Sequence, residues 1–246
     1  MRPRLLRTAL ATLLLAAGCA AAPDPAALPQ ADAILLGEQH DADAHARRHQ
    51  QAVQALARDG RLAALALEMA EAGTSTAGLA PGSDEAAVRA ALRWNDKAWP
   101  WAPYAPAVMA AVRAGAPVLG ANLPMAGMRE AMREASLDAL LPAAALQAQQ
   151  QAMRDGHCGL LPEAQIGPMA RIQIARDRSM ARTVAAAAVP GKTVLLVAGA
   201  GHVDEALGVP QHLPPGLRWQ SLRWPAEPPK KDYCAELRGQ MAPARP

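Results

Sequence analysis

Apolar residues in this chain are gathered into short runs, at 33–36, 62–67, 117–120 and 193–198. Runs of this length bounded by turn residues predict buried strands. Between them the pattern changes to helical spacing. The first helix spans residues 43–58, with Asp43 as a candidate N-cap and Gly60 as its stop. Further helices are expected at 84–93 and 106–113, then in series from 124 to 188 with breaks near Pro142 and at 156–162. A last strand is read at 217–224, and no internal repeat is present. Strand, helix, strand with short links marks a parallel α/β unit. The expected fold is α/β: a mostly parallel sheet with helices on both faces, plus a helical insertion.

Three of the predicted strands run straight into chemistry. The first stops at Gly37, read as the turn that ends it, and Glu38 and His40 follow. The second ends in Glu68, and the run at 193–198 leads into Gly199-Ala-Gly-His202. Open α/β sheets bind ligands at the carboxyl ends of their strands, so these four polar residues stand where such a fold places a site.

The ends set the compartment. Arg2, Arg4 and Arg7 precede an apolar segment, residues 9–17, that is too short to span a bilayer. It closes on Leu15-Ala-Ala-Gly-Cys19, which resembles a bacterial lipobox with Ala16 where the usual Leu stands. Residues 1–18 are therefore expected to be a lipoprotein signal peptide and Cys19 the lipidated N-terminus. Residues 19–30 would be a Pro- and Ala-rich tether, 31–225 the domain and 226–246 a C-terminal tail. By resemblance to Gram-negative lipoproteins, Ala20 favours the outer membrane, with membrane contact through the lipid anchor only. Without the three signal arginines the formal charge of +3 disappears, leaving 22 basic against 22 acidic residues, which argues against nucleic acid. Phe is absent, so Met and Leu must fill the core. Cys158 and Cys234 remain, and in an oxidising compartment such a pair is expected to form a disulfide that ties the tail to the body.

Glu38, His40, Glu68 and His202 form a set that could hold a divalent metal, activate a water or do acid–base work. Their spacing matches no standard metal motif; separately, each could be a cap or a solvated loop residue. His45 and His49 share a helix face and offer metal or propionate ligands, or simply a polar surface. Four of the seven aromatic residues, Trp94, Trp99, Trp101 and Tyr104, lie in one segment. They could wall a pocket for a planar ligand or replace the missing Phe in the core. Tyr104 offers a hard oxygen ligand for ferric iron. On the long helix from Glu163, Arg171 and Arg176 could meet carboxylates or propionates, or face solvent.

Several segments in order resemble the ChaN family of haem-binding, iron-regulated lipoproteins. They are Leu36-Gly-Glu-Gln-His-Asp41 with His45, His49 and Gln50; Ala66-Leu-Glu-Met69; Trp101-x-x-Tyr-x-Pro106; Pro117-Val-Leu-Gly-Ala-Asn-Leu-Pro124; His157-Cys-Gly159; Gln173-x-Ala-Arg-Asp177 with Met180; Ala198-Gly-Ala-Gly-His-Val203; and Gly208-Val-Pro210. Departures are Ala70-Glu71, where the family usually places an aromatic, and Met125, where it usually has Arg. The resemblance implies an α/β domain of the wider Tiki, TraB and erythromycin-esterase superfamily. It also implies haem as cofactor, a role in iron uptake, iron coordination by a tyrosine with a histidine nearby, a homodimer around stacked haems, and an outer-membrane haem receptor as a further partner. Tyr104 is the first candidate for the iron ligand and Tyr233 the second, with His40, His45, His49, His202 and Arg176 around the haem. The competing expectation is a hydrolase. There Glu38 and Glu68 place or deprotonate a water, His40 is the general base, and His202 steadies an oxyanion or binds metal.

Overall fold

A computed structural model of the chain describes residues 28–241. The expected signal peptide, Cys19 and most of the tether lie outside the described residues, as do residues 242–246.

The apolar runs become five strands, β1 (Ala33–Glu38), β2 (Leu62–Glu71), β3 (Val118–Asn122), β4 (Thr193–Gly199) and β5 (Trp219–Arg223). They pair in the order β3-β2-β4-β1-β5, every pair parallel. The inner strands carry apolar side chains on both faces, as a sheet covered on both sides requires. Ile34, Leu36, Leu65, Leu67, Leu195 and Val197 pack against the helices of one face. Ala33, Leu35, Ala64, Ala66, Val194 and Leu196 pack against Met180 and Val184 on the other. Each fully buried Leu or Ile contributes roughly 1.5–3 kcal/mol.

The direction of travel decides which helix lies where. From β1 through β2 to β3 the chain moves towards one edge, crossing over by α1 (Asp43–Arg58), then α2 (Glu85–Ala91) and α3 (Ala105–Arg113). From β3 it returns to β4 through the helical insertion: α4 (Met125–Arg133), a 3₁₀ turn, α5 (Ala143–Gly156) and α6 (Glu163–Ala186). Parallel crossovers are right-handed, so reversing direction puts α6 on the face opposite α1 and α3. The segments leaving β1 and β4 consequently part to opposite faces, which opens a crevice at their carboxyl ends. No described helix is long and apolar enough to cross a membrane.

Three local expectations change. Gly37 is not a turn: β1 continues through it to Glu38. Its missing side chain is needed for packing, because a Cβ there would meet Val203 Cγ2 at 2.4 Å. Asp43 does not cap α1; the N-cap position is Ala42, whose side chain makes no cap. The cap comes from far along the sequence, where the Glu227 carboxylate accepts the Ala44 N–H at 3.2 Å. The tail also carries a helix of its own, α7 (Tyr233–Met241), and Cys234 on it is joined to Cys158 beyond the end of α5.

Candidate functional site

The ends of β1, β2 and β4 deliver Glu38, Glu68 and Gly199 to one place. Glu38 and Gly199 are register partners. Glu68 follows the last residue of β2 paired to β4, within an irregular stretch of the ladder between Leu67 and Glu71. Irregularities of this kind re-aim side chains beside sites. Both carboxylates are buried, at 4% and 2% exposure, so each must find charged or hydrogen-bonding partners.

Glu38 Oε1 accepts two bonds, one from the Tyr104 hydroxyl at 2.7 Å and one from His40 Nδ1–H at 2.7 Å. A carboxylate partner makes Nδ1 the donor, which leaves Nε2 of a neutral His40 as a bare lone pair. That nitrogen stands 3.9 Å from Glu68 Oε2, beyond hydrogen-bond range. His49 Nδ1 lies 3.3 Å from Glu38 Oε2, but off the hydrogen-bond direction, so neither of its ring nitrogens has a partner.

Glu68 is the centre of a second cluster. The Gly199 N–H donates to its Oε2 at 2.6 Å, and Arg176 bonds its Oε1. His202 Nε2 stands 3.4 Å from Glu68 Oε1, and His202 Nδ1 bonds Asp177 Oδ1 at 2.6 Å. Arg176 also donates to Asn122 Oδ1 at 3.0 Å. Two carboxylates thus face a guanidinium and an imidazolium, a combination whose charges balance.

The same contacts set the protonation states. Burial pulls His202 down, but the Glu68 and Asp177 charges more than offset it and hold its pKa up at about 10. Burial pushes Glu68 up, yet His202 and Arg176 win and hold it well below the usual carboxylate range. Burial raises Asp177 despite His202 beside it. Burial also opposes the charge on His40, but the Glu38 hydrogen bond and the Glu68 charge raise its pKa overall. His49 has no such compensation, and burial depresses it to about 4. Burial and the Glu38 charge push Tyr104 far above its ordinary range, so it is a neutral phenol.

In front of these residues lies a cleft of about 430 Å³, lined by His40, Glu68, Trp99, Gln149, Met153, Gln173, Arg176, Asp177 and His202 among others. The sequence-expected set divides here. His40, Glu68, His202 and Arg176 reach the cleft, and Trp99 packs edge-on against the His40 ring at 4.7 Å between centroids. Glu38 stands behind His40. Tyr104, expected as the iron ligand, is 4% exposed and donates its hydroxyl to Glu38, so its oxygen does not line the cleft. Trp101 faces α2, donating to Glu85 at 2.8 Å. His45 accepts the Gln39 N–H at 2.9 Å and bonds the Pro225 carbonyl at 3.0 Å, so both its nitrogens are committed. Arg171 is paired with Asp138 away from the cleft. Tyr233, the second ligand candidate, is exposed and donates to Asp41 Oδ2 at 2.8 Å. Among the described residues no group of three His, Cys, Asp or Glu is disposed to hold a metal ion. The divalent metal weighed for a hydrolase therefore lacks a ligand set here, since Glu68 and His202 are spent on each other, Arg176 and Asp177.

The sequence puts Asp177 on the long helix without a role, and nothing in it points to Gln149 or Met153. Asp177 was findable in principle, being next to Arg176, but its partner His202 is 25 residues away. Gln149 and Met153 come from α5, whose position depends on how the insertion folds back.

Comparison with solved structures finds the same fold in ChaN of Campylobacter jejuni, described for its cofacial haem binding. The TM-score is 0.60 at 22% identity, over 78% of this chain and 81% of that one. No curated protein sequence matches the chain. The family described as haem-binding uptake, Tiki superfamily, ChaN matches residues 25–213, a span that holds the cleft and every residue that builds it. With a parallel α/β sheet and a polar crevice at its strand ends, the chain belongs to that haem-binding uptake family, and its cofactor is haem.

Proposed function

We propose that this protein captures haem in the cleft at the ends of β1, β2 and β4, and that it serves haem or iron uptake while anchored to the outer membrane through a lipid on Cys19. The observation that carries the haem site is the state of His40. Its Nδ1 is held by Glu38, its Nε2 makes no hydrogen bond, and it lies beside the Trp99 wall. Metal-binding histidines commonly donate their other ring N–H to a carboxylate, which fixes the tautomer and strengthens the base. Gly199 keeps room at that nitrogen, since a Cβ there would stand 2.9 Å from it.

Haem would supply an iron that takes a nitrogen or oxygen base from the protein. His40 is the base this reading assigns, and Glu38 with Tyr104 orients it. Trp99 and Met153 offer apolar contact to a flat ring, and Gln149 and Gln173 offer amides for its polar edge. The test is a haemin titration of the purified chain. Saturable binding is expected, with His40→Ala losing the nitrogen-ligated spectrum and Tyr104→Phe keeping saturable uptake. A titration no different from that of a control protein would sink the reading. A tyrosinate charge-transfer band that Tyr104→Phe removes would move the ligand to Tyr104. A homodimer and an outer-membrane haem receptor are the partners expected, and sizing the chain with and without haemin tests the first.

The Glu38–His40 pair also supports a second reading. A histidine oriented by a buried carboxylate, with its other nitrogen beside a cleft, is the geometry of a general base. A metal-free ester or peptide hydrolase would use it that way, and Glu38→Gln should then abolish turnover.

A further inference from the structure

The last described segment makes an unusual set of contacts for a tail. Trp224 is the final core residue, and beyond it the chain runs without regular structure to α7, whose residues are mostly exposed. Yet the segment is bound to two elements that each supply residues to the cleft. On one side it grips the turn that carries His40. The Pro225 carbonyl bonds His45 Nε2 at 3.0 Å, and His45 Nδ1 accepts the Gln39 N–H at 2.9 Å. Glu227 N–H donates to Gln39 Oε1 at 3.0 Å, and the Glu227 carboxylate caps α1. Lys230 N–H and the Tyr233 hydroxyl both donate to Asp41 Oδ2, at 3.0 and 2.8 Å. The residues just before and just after His40 are therefore both tied to the tail.

On the other side Cys234 is bonded to Cys158, two residues beyond the end of α5. That helix supplies Gln149 and Met153 to the lining of the cleft.

We infer that residues 225–234 form a strap that positions His40 and sets the width of the cleft, with the Cys158–Cys234 disulfide as its latch. His45 and Glu227 are positioning residues: they act on His40 through Gln39 and the start of α1. The disulfide matters because little else holds α7. Exposed hydrogen bonds and ion pairs such as Lys230 with Asp43 are individually weak, and α7 adds no residue to the core clusters. The cross-link closes a separation of 76 residues, which confines the strap even when its polar contacts open. Both cysteines are half-buried, within reach of a small thiol. A dithiol reductant would open the latch by exchange: one thiolate attacks a disulfide sulfur, its second thiol displaces the mixed disulfide, and the pair leaves as two thiols while the reductant becomes a disulfide. The protein would then hold its ligand tightly when oxidised and loosely when reduced.

The site at stake is the haem cleft of the proposed function, but the strap itself can be tested without haem. Amide hydrogen exchange is followed by mass spectrometry on the full chain, oxidised or treated with dithiothreitol and alkylated, and on Cys234→Ser. Exchange at residues 39–45 should quicken about tenfold or more on opening the latch, while β4 stays protected. Haemin dissociation to an excess of a scavenger should quicken by a similar factor. Glu227→Ala, with the disulfide intact, should loosen residues 39–45 but not residues 149–158, and Glu227→Gln should restore part of the protection through its amide oxygen. Unchanged exchange at 39–45 after reduction would overturn the inference. Faster exchange with unaltered haemin dissociation would overturn the link to ligand grip. Absence of saturable haemin binding in the oxidised chain would count against the proposed function instead, and the exchange result would still decide the strap.

Discussion

Replacing Glu68 by Gln tests whether the cluster at the end of β2 is a compensated set of buried charges. Glu68 is 2% exposed and neutralises Arg176 and His202, while also receiving the Gly199 N–H. Gln keeps the shape and an oxygen for Gly199, but it removes the charge and turns an amide towards two cations. Breaking a buried pair from one side typically costs about 3–5 kcal/mol. For a domain of this size each kcal/mol lowers Tm by roughly 2–4 °C, so the expected drop is roughly 6–20 °C. Glu163, whose side chain is 74% exposed in its pair with Arg154, is the control, and Glu163→Gln should leave Tm nearly where it is in the parent, because solvent screens an exposed pair. The pH dependence gives a second check. Glu68 has a depressed pKa, so its stabilisation is present above its ordinary value of 4.5 and is lost as pH falls below that. His202 has a raised pKa, so its stabilisation is complete below 6.5 and is lost as pH rises towards about 10. Glu68→Gln should therefore flatten the acid limb and bring the alkaline limb to lower pH. Melting within about 2 °C of the parent at pH 6, or an unchanged acid limb, would refute the reasoning.

Two further outcomes follow from the same geometry. Gly37→Ala drives a Cβ against Val203 and should cost about 1–3 kcal/mol in denaturant unfolding, with Val203→Ala in the same chain restoring part of it; equal stability of the single variant would show that the contact can relax. Asp177→Asn removes one of the two carboxylates that hold His202 protonated, so the His202 ring protons, followed by NMR, should titrate at lower pH than in the parent, and an unmoved titration would deny Asp177 that part.

The three inner strands of the sheet, the first helix at 43–58 and the polar residues at three strand ends were legible in the sequence because each depends on neighbours within a few positions. A continuous apolar run buries itself on both faces wherever the strand lies, and a Glu or His after it arrives at the crevice by chain continuity. The motifs in order were enough for the family. What the sequence left open concerns partners. Tyr104 and Glu38 are 66 residues apart, and Glu68 and the Gly199 N–H are 131 apart. Only the strand order, with β4 inserted between β1 and β2, brings them together. That order turned Tyr104 from a candidate ligand into the hydroxyl that holds Glu38, and it committed both nitrogens of His202 to carboxylates. It left His40 with a free nitrogen beside the cleft, and it turned Gly37 from a supposed turn into a gap filled by Val203. The tail shows the same division: its polar, Pro-rich composition predicts no core, and only the fold reveals that it bonds Gln39 and Asp41 on either side of His40. Local pattern determines which segments are strands and helices, whereas hydrogen bonds and charge compensation in a buried site depend on which distant segments meet.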